Sequence, residues 1–179
     1  MKKLYFFLLI FTWQTMQAQR LLFDFSNHSN IQNWNIIDDR VMGGISVGTF
    51  EVNKNGFGQF SGDVSTANNG GFSSVRFSLE KTSISSSKVL LLKIKGDGKT
   101  YQCRIKPDAS LYYSYVYAFK TTGEWQIIEI PFSEMYPSFR GRKLEMSNFN
   151  HDYLSEIAFL IGNKTNESFC FLIQSISLK

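Results

Sequence analysis

The fold is indicated first by the stretch Trp34-Asn-Ile-Ile-Asp-Asp-Arg-Val-Met-Gly-Gly-Ile-Ser46, in which a short apolar segment runs into a Gly-Gly turn. A second stretch, Asn68-Asn-Gly-Gly-Phe-Ser-Ser-Val-Arg76, has the same character. Paired glycines permit left-handed backbone or the close approach of another backbone, so such loops often bind something as well as connecting strands. The two loops form either a binding site or tight turns alone, and we favour the binding site.

Most of the chain consists of short apolar segments bounded by turn residues. Strands are predicted at 21–25, 48–52, 58–61, 73–79, 89–95, 99–106, 112–120, 126–130, 157–161 and 169–178. Asn53-Lys-Asn-Gly56 and Gly96-Asp-Gly98 are each predicted to close a β-hairpin. Helical signal is confined to single turns at 133–136 and 152–155. The pattern predicts an all-β, antiparallel jelly-roll β-sandwich with at most short helical turns.

Residue alternation is clearest in the segment that begins at Leu111. The aromatic residues of one face are Tyr113, Tyr115, Tyr117 and Phe119. If this face points inward it belongs to the core, which we favour. If it lines an outer sheet, it is a platform on which a sugar ring or a partner's apolar side chains would stack.

The first eighteen residues are typical of a targeting segment. Lys2 and Lys3 precede a ten-residue apolar run at 4–13, and Ala18 offers a small residue for cleavage. We therefore predict a signal peptide at 1–18, a single domain at 19–179, and an exported protein that is periplasmic or secreted. The apolar run is too short to span a bilayer, so the protein is not expected to be membrane-spanning.

The net charge limits the kinds of partner that are expected, and the cysteine content bears on disulfide bonding. The formal net charge is +4, and the densest basic cluster, Arg140-Gly-Arg-Lys143, is too short for a nucleic-acid surface. No nucleic acid is expected as a partner. Cys103 and Cys170 are predicted to be separate small core residues, although an oxidising compartment would permit a disulfide.

The sequence offers little evidence for a catalytic site. His28 and His151 do not stand in a recognisable arrangement with Ser or Cys, and no transition-metal or nucleotide motif has the required spacing. We therefore expect no enzyme activity, no cofactor and no metal. No loop shows the alternating acidic ligands of a calcium site.

Paired carboxylates leave glycoside hydrolysis as a distant alternative. The candidates are Asp38, Asp39, Asp63 and Asp97. The simpler interpretation is structural: Asp38 and Asp39 pair with Arg40 or Arg76, and Asp97 occupies a turn position that favours Asp.

The order and spacing of these residues resemble the complex I intermediate-associated protein family. The matching positions are Trp34, Asp39, Val41-Met-Gly-Gly44, Ser46, Gly62, Asn68-Asn-Gly-Gly-Phe72, Arg76, Gly96-Asp-Gly98, Tyr101, Trp125, Ile130-Pro-Phe132, Pro137 and Phe139-Arg-Gly141. The resemblance implies a galactose-binding-like jelly roll, in agreement with the strand pattern. It also implies a non-enzymatic role, because the mitochondrial members are assembly factors that hold intermediates of NADH:ubiquinone oxidoreductase.

Two functions from different classes remain. The first is a scaffold or assembly factor that binds a protein partner through the Gly-rich loops, and the second is an exported carbohydrate-binding module that binds a glycan. Export would keep the chain from the matrix-facing parts of complex I, so the assembly role is not expected to transfer whole.

The same set of residues is predicted to bind the ligand in both functions. The predicted binding residues are Trp34, Asp39, Arg40, Met42, Gly43, Gly44, Asn68, Asn69, Gly70, Gly71, Phe72, Arg76 and Asp97. Met42 and Phe72 would make apolar contacts with a protein, whereas Asn68 and Asn69 would bond sugar hydroxyls. In the structural alternative Asp39 and Arg76 form an ion pair and Trp34 is a core residue.

Overall fold

A computed structural model describes residues 19–26 and 28–179 of the chain. The described residues form thirteen β-strands and three 3₁₀ helices. The strands are β1 (Arg20–Asp24), β2 (Trp34–Asp38), β3 (Val47–Val52), β4 (Gly58–Val64), β5 (Ser73–Ser83), β6 (Val89–Lys95), β7 (Thr100–Lys106), β8 (Ser114–Lys120), β9 (Trp125–Pro131), β10 (Tyr136–Phe139), β11 (Arg142–Lys143), β12 (Tyr153–Ile161) and β13 (Glu167–Leu178). The 3₁₀ helices are Asp39–Met42, Ala67–Asn69 and Phe132–Glu134. The predicted signal peptide at 1–18 lies outside the described residues.

The strands form two antiparallel sheets. The six-stranded sheet has the order β3-β4-β13-β6-β9, with β1 also paired to β13, and the seven-stranded sheet has the order β11-β10-β8-β7-β12-β5-β2. This architecture confirms the predicted all-β sandwich. Within the described part of the chain, no helix has the length and apolar character needed to cross a membrane.

The core lies between the two sheets and is rich in aromatic rings. Phe171 of β13 packs against Tyr101 and Phe159 of the opposite sheet, with ring centroids 4.6 and 5.3 Å apart. All three side chains are buried. Burying apolar surface of this size is the main stabilising contribution to such a domain.

Strand β8 confirms the inward orientation of the aromatic face. Tyr113, Tyr115 and Phe119 are buried in the core, and Tyr117 packs against it half-buried. Because side chains alternate along a strand, the outer face of β8 receives the small residues of the sequence 114–118. The outer surface of the seven-stranded sheet is therefore shallow at this point.

The predicted hairpin at Gly96-Asp-Gly98 is wrong. Strands β6 and β7 lie in different sheets, so this turn carries the chain across the sandwich. The Asp97 carboxylate accepts hydrogen bonds from Tyr101 Oη at 3.1 Å and from the Cys170 backbone N–H at 3.0 Å, which ties the turn to β13. The turn residues were identified correctly from the local sequence, but which strands pair with each other depends on contacts between residues far apart in the chain.

Other local expectations also differ from the structure. The helical turn predicted at 152–155 is wrong, because this segment opens β12 and Tyr153 pairs with Ser83 of β5. Strands β2, β10 and β11 were not predicted. Both cysteines are free, as expected, but Cys103 alone is a core residue and Cys170 is exposed.

Candidate binding groove and its apolar rim

An open groove of about 570 Å³ lies on the outer face of the seven-stranded sheet. Its floor is formed by β5, β12, β7, β8 and β10, and the first Gly-rich loop contributes Met42 at one end. The hairpin that joins β10 to β11 contributes Arg140 and Gly141 at the other end. The volume is in the range that proteins use for binding ligands.

The floor is lined by small side chains at its centre. Ala158 of β12 pairs with Arg76 of β5 on one side and with Arg104 of β7 on the other. Ser114 and Ser138, which pair between β8 and β10, continue the small floor away from the centre. Two arginines thus flank an alanine that is itself 3% exposed, and its small side chain adds little bulk to the floor.

The groove carries a strong excess of positive charge. Its lining includes four basic side chains, Arg76, Arg104, Lys106 and Arg140, and one carboxylate, Glu156. Arg76 Nη1 approaches Glu156 Oε2 to 3.9 Å, which is too long for a hydrogen bond. The single carboxylate forms a long ion pair with Arg76 and leaves the other three cations without an acidic partner in the groove lining.

Arg104 is a half-buried cation on the floor of the groove. Its Nε and Nη2 donate to the Gln102 Oε1 amide oxygen at 3.0 and 2.8 Å, and this acceptor carries no charge. Burial lowers the pKa of the Arg104 guanidinium, and the nearby charge of Arg76 lowers it further, while Tyr136 acts in the opposite direction. Arg104 is thus a desolvated cation held by a neutral partner.

The wall formed by the β10–β11 hairpin is aromatic and cationic. Arg140 and Gly141 both have positive φ, at 49° and 75°, as a two-residue turn of this kind requires. The Arg140 guanidinium lies 5.2 Å from the centre of the Phe139 ring. Tyr112 stands edge-on to Phe139 with ring centroids 5.1 Å apart and is 64% exposed.

The opposite end of the groove is bordered by apolar side chains that face solvent. We call Val41, Met42 and Ile45, which lie on the first Gly-rich loop, the apolar rim. Their exposed fractions are 71%, 53% and 54%. Met42 belongs both to this rim and to the groove lining, so the two surfaces are continuous.

A buried carboxylate fixes the loop that carries the rim. The Asp39 side chain is fully buried and accepts hydrogen bonds from the Ser46 N–H at 3.0 Å, the Ser46 hydroxyl, the Gly71 N–H at 2.6 Å and the Phe72 N–H at 3.2 Å. Burial alone would raise the pKa of Asp39, but these hydrogen bonds outweigh it and hold the pKa below its ordinary value. Asp39 thereby joins the two Gly-rich loops to each other.

Two of the glycines are required by the position of this carboxylate. A Cβ atom at Gly44 would lie 2.3 Å from Asp39 Cγ, and one at Gly70 would lie 2.5 Å from Asp39 Oδ2. Real Cβ atoms do not approach other atoms so closely, so any side chain at either position would push the carboxylate away from its donors.

A model of the family described as Complex I intermediate-associated protein 30 matches residues 23–173. The chain belongs to this family. Complex I intermediate-associated protein 30 of Drosophila melanogaster is 26% identical and covers 68% of this chain and 49% of the relative, and that of Mus musculus is 22% identical and covers 91% and 57%. The chain thus spans about half the length of the curated relatives it matches.

The relatives contradict the predicted localisation. Both are mitochondrial complex I intermediate-associated proteins, so the expectation of a periplasmic or secreted protein is wrong. That expectation rested on the composition of residues 1–18 alone, which lie outside the described residues.

Solved structures resemble this complex I intermediate-associated domain in fold. A family 11 carbohydrate-binding module from Clostridium thermocellum, in complex with a β-1,3-1,4-mixed-linked tetrasaccharide, has a TM-score of 0.66 at 22% identity and covers 89% of this chain and 94% of that one. An exo-β-agarase has a TM-score of 0.57 at 12% identity and covers 89% of this chain and 24% of that one. At these identities the likeness concerns the fold alone, and it agrees with the predicted galactose-binding-like jelly roll.

The groove brings together four of the predicted binding residues of this complex I intermediate-associated chain. They are Met42, Gly71, Phe72 and Arg76. Asp39, Gly44 and Gly70 lie behind the loops, where they fix loop shape as described above. Arg40 and Gly43 are exposed on the first loop.

The remaining predicted residues lie away from the groove lining. Trp34 is buried in the core, stacked between Phe50 and Phe77 at 4.7 Å from each, as the structural alternative expected. Asn68 and Asn69 are exposed with left-handed backbone. Asp97 anchors the turn between the sheets.

The alternative of an ion pair between Asp39 and Arg76 is wrong. Four donors from the protein occupy the carboxylate of Asp39, and Arg76 lies nearest to Glu156 instead. Among the residues that the structure describes, no cluster of His, Cys, Asp and Glu has the arrangement of a metal site.

Sequence reasoning predicted Arg76 but missed the other two cations of the floor, Arg104 and Lys106. Gln102, Arg104 and Lys106 alternate with buried residues along β7, a central strand of its sheet. This period-two pattern of polar residues on a central strand was the available signal, because the outer face of such a strand is either solvated or a site.

Proposed function

We propose that this protein is a non-enzymatic binding protein that holds a protein partner across the groove and the apolar rim. The observation that carries the proposal is the exposure of three large apolar side chains, Val41, Met42 and Ile45, on one loop. Single exposed apolar residues are ordinary, whereas a group of them on one loop is typical of a protein-binding surface.

The rigidity of this loop favours binding. Asp39 ties the loop to Gly71 and Phe72, so the rim is held in place before a partner arrives. A preorganised surface loses less conformational entropy on association, and this raises affinity. Met42 adds a flexible thioether that adapts to the shape of a partner.

The family supports a protein partner. Its members are named for association with intermediates of complex I, and we infer that this chain likewise holds a partly assembled protein complex. The earlier objection to this role rested on export, which the mitochondrial relatives contradict. Because the chain spans about half of those relatives, the identity of the complex is part of the proposal.

A glycan is the second candidate occupant, and one observation favours it. Tyr112 presents an exposed ring on the groove wall, where a sugar ring would stack. The polar groups of Gln102 and Ser138 on the floor are suited to sugar hydroxyls. A structural neighbour of similar fold is itself known in complex with a tetrasaccharide.

Affinity capture with matched variants separates the two candidates. The tagged protein, a rim variant carrying Met42→Ser and Ile45→Ser, and a control carrying Ile127→Ser would be incubated with a detergent extract of the native cells. Ile127 is 62% exposed on β9 of the opposite sheet, so it matches the chemistry but not the location. We expect bound proteins to be retained by the parent and the control and reduced at least fivefold in the rim variant.

A glycan array supplies the opposing result. The proposal would be contradicted if the parent protein retained a glycan, if Tyr112→Ala abolished this retention and if the rim variant left it unchanged. That result would favour the carbohydrate-binding module. Equal protein capture by all three proteins would contradict the proposal as well.

A further inference from the structure

The charge of the groove identifies the chemistry of its occupant more closely than its shape does. Four cations and one carboxylate line the groove, and the carboxylate lies 3.9 Å from Arg76. Gathering like charges in a partly enclosed site costs free energy, which a ligand of opposite charge recovers.

The two central arginines are spaced to share one anion. Arg76 and Arg104 each pair with Ala158, so two strand spacings, roughly 10 Å, separate their backbones. The Ala158 side chain lines the groove between them, is itself buried, and adds little bulk there. A carboxylate above Ala158 would meet forked donors from both sides, and arginine binds carboxylates in this paired geometry.

Within the described residues, Arg76 makes only a long ion pair with Glu156, and Arg104 makes none with a carboxylate. Arg104 uses Nε and Nη2 on the neutral Gln102 oxygen and keeps Nη1 for another acceptor. Arg76 is not within hydrogen-bonding distance of Glu156. Both side chains line the groove, so an incoming ligand reaches them directly.

We propose that the groove binds an acidic, extended segment of the protein partner and that a carboxylate of this segment lies above Ala158 between Arg76 and Arg104. This inference rests on the proposed function, which supplies the partner.

A protein segment fits this site better than an acidic polysaccharide. Met42 and Phe72 continue the groove into the apolar rim, so the surface as a whole selects a ligand with both carboxylates and apolar side chains. Acidic polysaccharides present carboxylates without large aliphatic groups. A peptide that alternates acidic and apolar residues presents both at once.

The test uses defined probes. A fluorescein-labelled peptide of alternating Glu and Leu residues, a matched peptide of Gln and Leu, and an oligogalacturonate would be titrated against the full chain by fluorescence polarisation or competition. We expect the Glu peptide to bind at least about tenfold more tightly than the Gln peptide, as the loss of hydrogen bonds to a charged group implies. Its affinity should fall as salt is raised.

Variants locate the binding. Arg104→Gln and Arg76→Gln should each weaken the Glu peptide about tenfold, while Lys93→Gln on the outer face of the opposite sheet should leave it unchanged. Arg104 is half-buried, so its substitution could unfold the protein and mimic a loss of binding. The melting temperature of each variant is therefore measured first, and the result with Arg76→Gln decides the test if Arg104→Gln is unfolded.

Three outcomes would overturn the inference. Equal binding of the Glu and Gln peptides, or no binding of either, would remove the acidic segment but leave rim-dependent protein capture, and with it the proposed function, intact. Binding of oligogalacturonate that depends on Arg104, without binding of the Glu peptide, would assign the groove to an acidic glycan and count against both.

Discussion

Replacing Asp39 with Ala tests whether one buried carboxylate holds both Gly-rich loops. The change removes the acceptor for the N–H groups of Ser46, Gly71 and Phe72 and for the Ser46 hydroxyl. Each buried donor left without a partner costs about 1–3 kcal/mol. With some relaxation of the exposed loops, we expect the free energy of unfolding to fall by about 3–6 kcal/mol.

This loss is large compared with the stability of an ordinary domain, which is about 5–15 kcal/mol. Urea denaturation followed by tryptophan fluorescence would measure it, and a thermal melt should shift downward by roughly 10 °C or more for a chain of this size. Asp152→Asn is the control, because Asp152 is exposed and its backbone carbonyl, which the substitution keeps, bonds the Ile84 N–H. The control should change stability by less than about 0.5 kcal/mol.

Two results would refute the reasoning about Asp39. One is a loss below about 1 kcal/mol in Asp39→Ala, which would mean that water or other groups replace the carboxylate at little cost. The other is an equal loss in Asp152→Asn, which would mean that the effect reflects charge in general and not the hydrogen bonds.

The remaining predictions concern acid stability and the loops. Because the pKa of Asp39 is lowered in the folded state, its contribution to stability is present above the unfolded pKa of about 3.9 and is lost as pH falls towards the folded pKa. Urea denaturation at a series of pH values should therefore show that the free energy of unfolding falls less steeply with acidification in Asp39→Asn than in the parent. An equal fall in both proteins would count against this argument. Gly44→Ala should cost about 1–3 kcal/mol by displacing the Asp39 side chain, and a thermal melt equal to that of the parent would contradict the packing argument. Gly71→Val should lower the melting temperature because the backbone there has a φ of +130°, and a melt equal to that of the parent would count against backbone strain at this position.

The sandwich could be predicted because strand signals are local. The alternation of large and small residues around Tyr115 and the turn residues at Asn53–Gly56 indicated strands and a hairpin without knowledge of their partners. Pairing depends on distant segments, and here the prediction failed. The turn at Asp97 has the composition of a hairpin, but Asp97 bonds to Cys170, 73 residues away, and the chain crosses to the other sheet.

Only the part of the site that lies on the Gly-rich loops was predicted, because a short stretch of sequence is enough to indicate it. The Gly-Gly pairs pointed to the loops that bear Met42 and Phe72, because glycine marks unusual backbone in any context. The role of Asp39 was missed, since its partner Phe72 lies 33 residues away and is a backbone group that any residue supplies. Arg104 and Lys106 were missed because the floor they share with Arg76 is assembled across five strands.

Hydrogen exchange of the chain, alone and with its captured partner, tests most directly the claim that the groove and the apolar rim hold a protein. The account predicts slowed exchange at residues 41–47, 71–76 and 138–141 in the complex, with no change on the outer face of the six-stranded sheet. Protection confined to that opposite face, around Ile127, would contradict it.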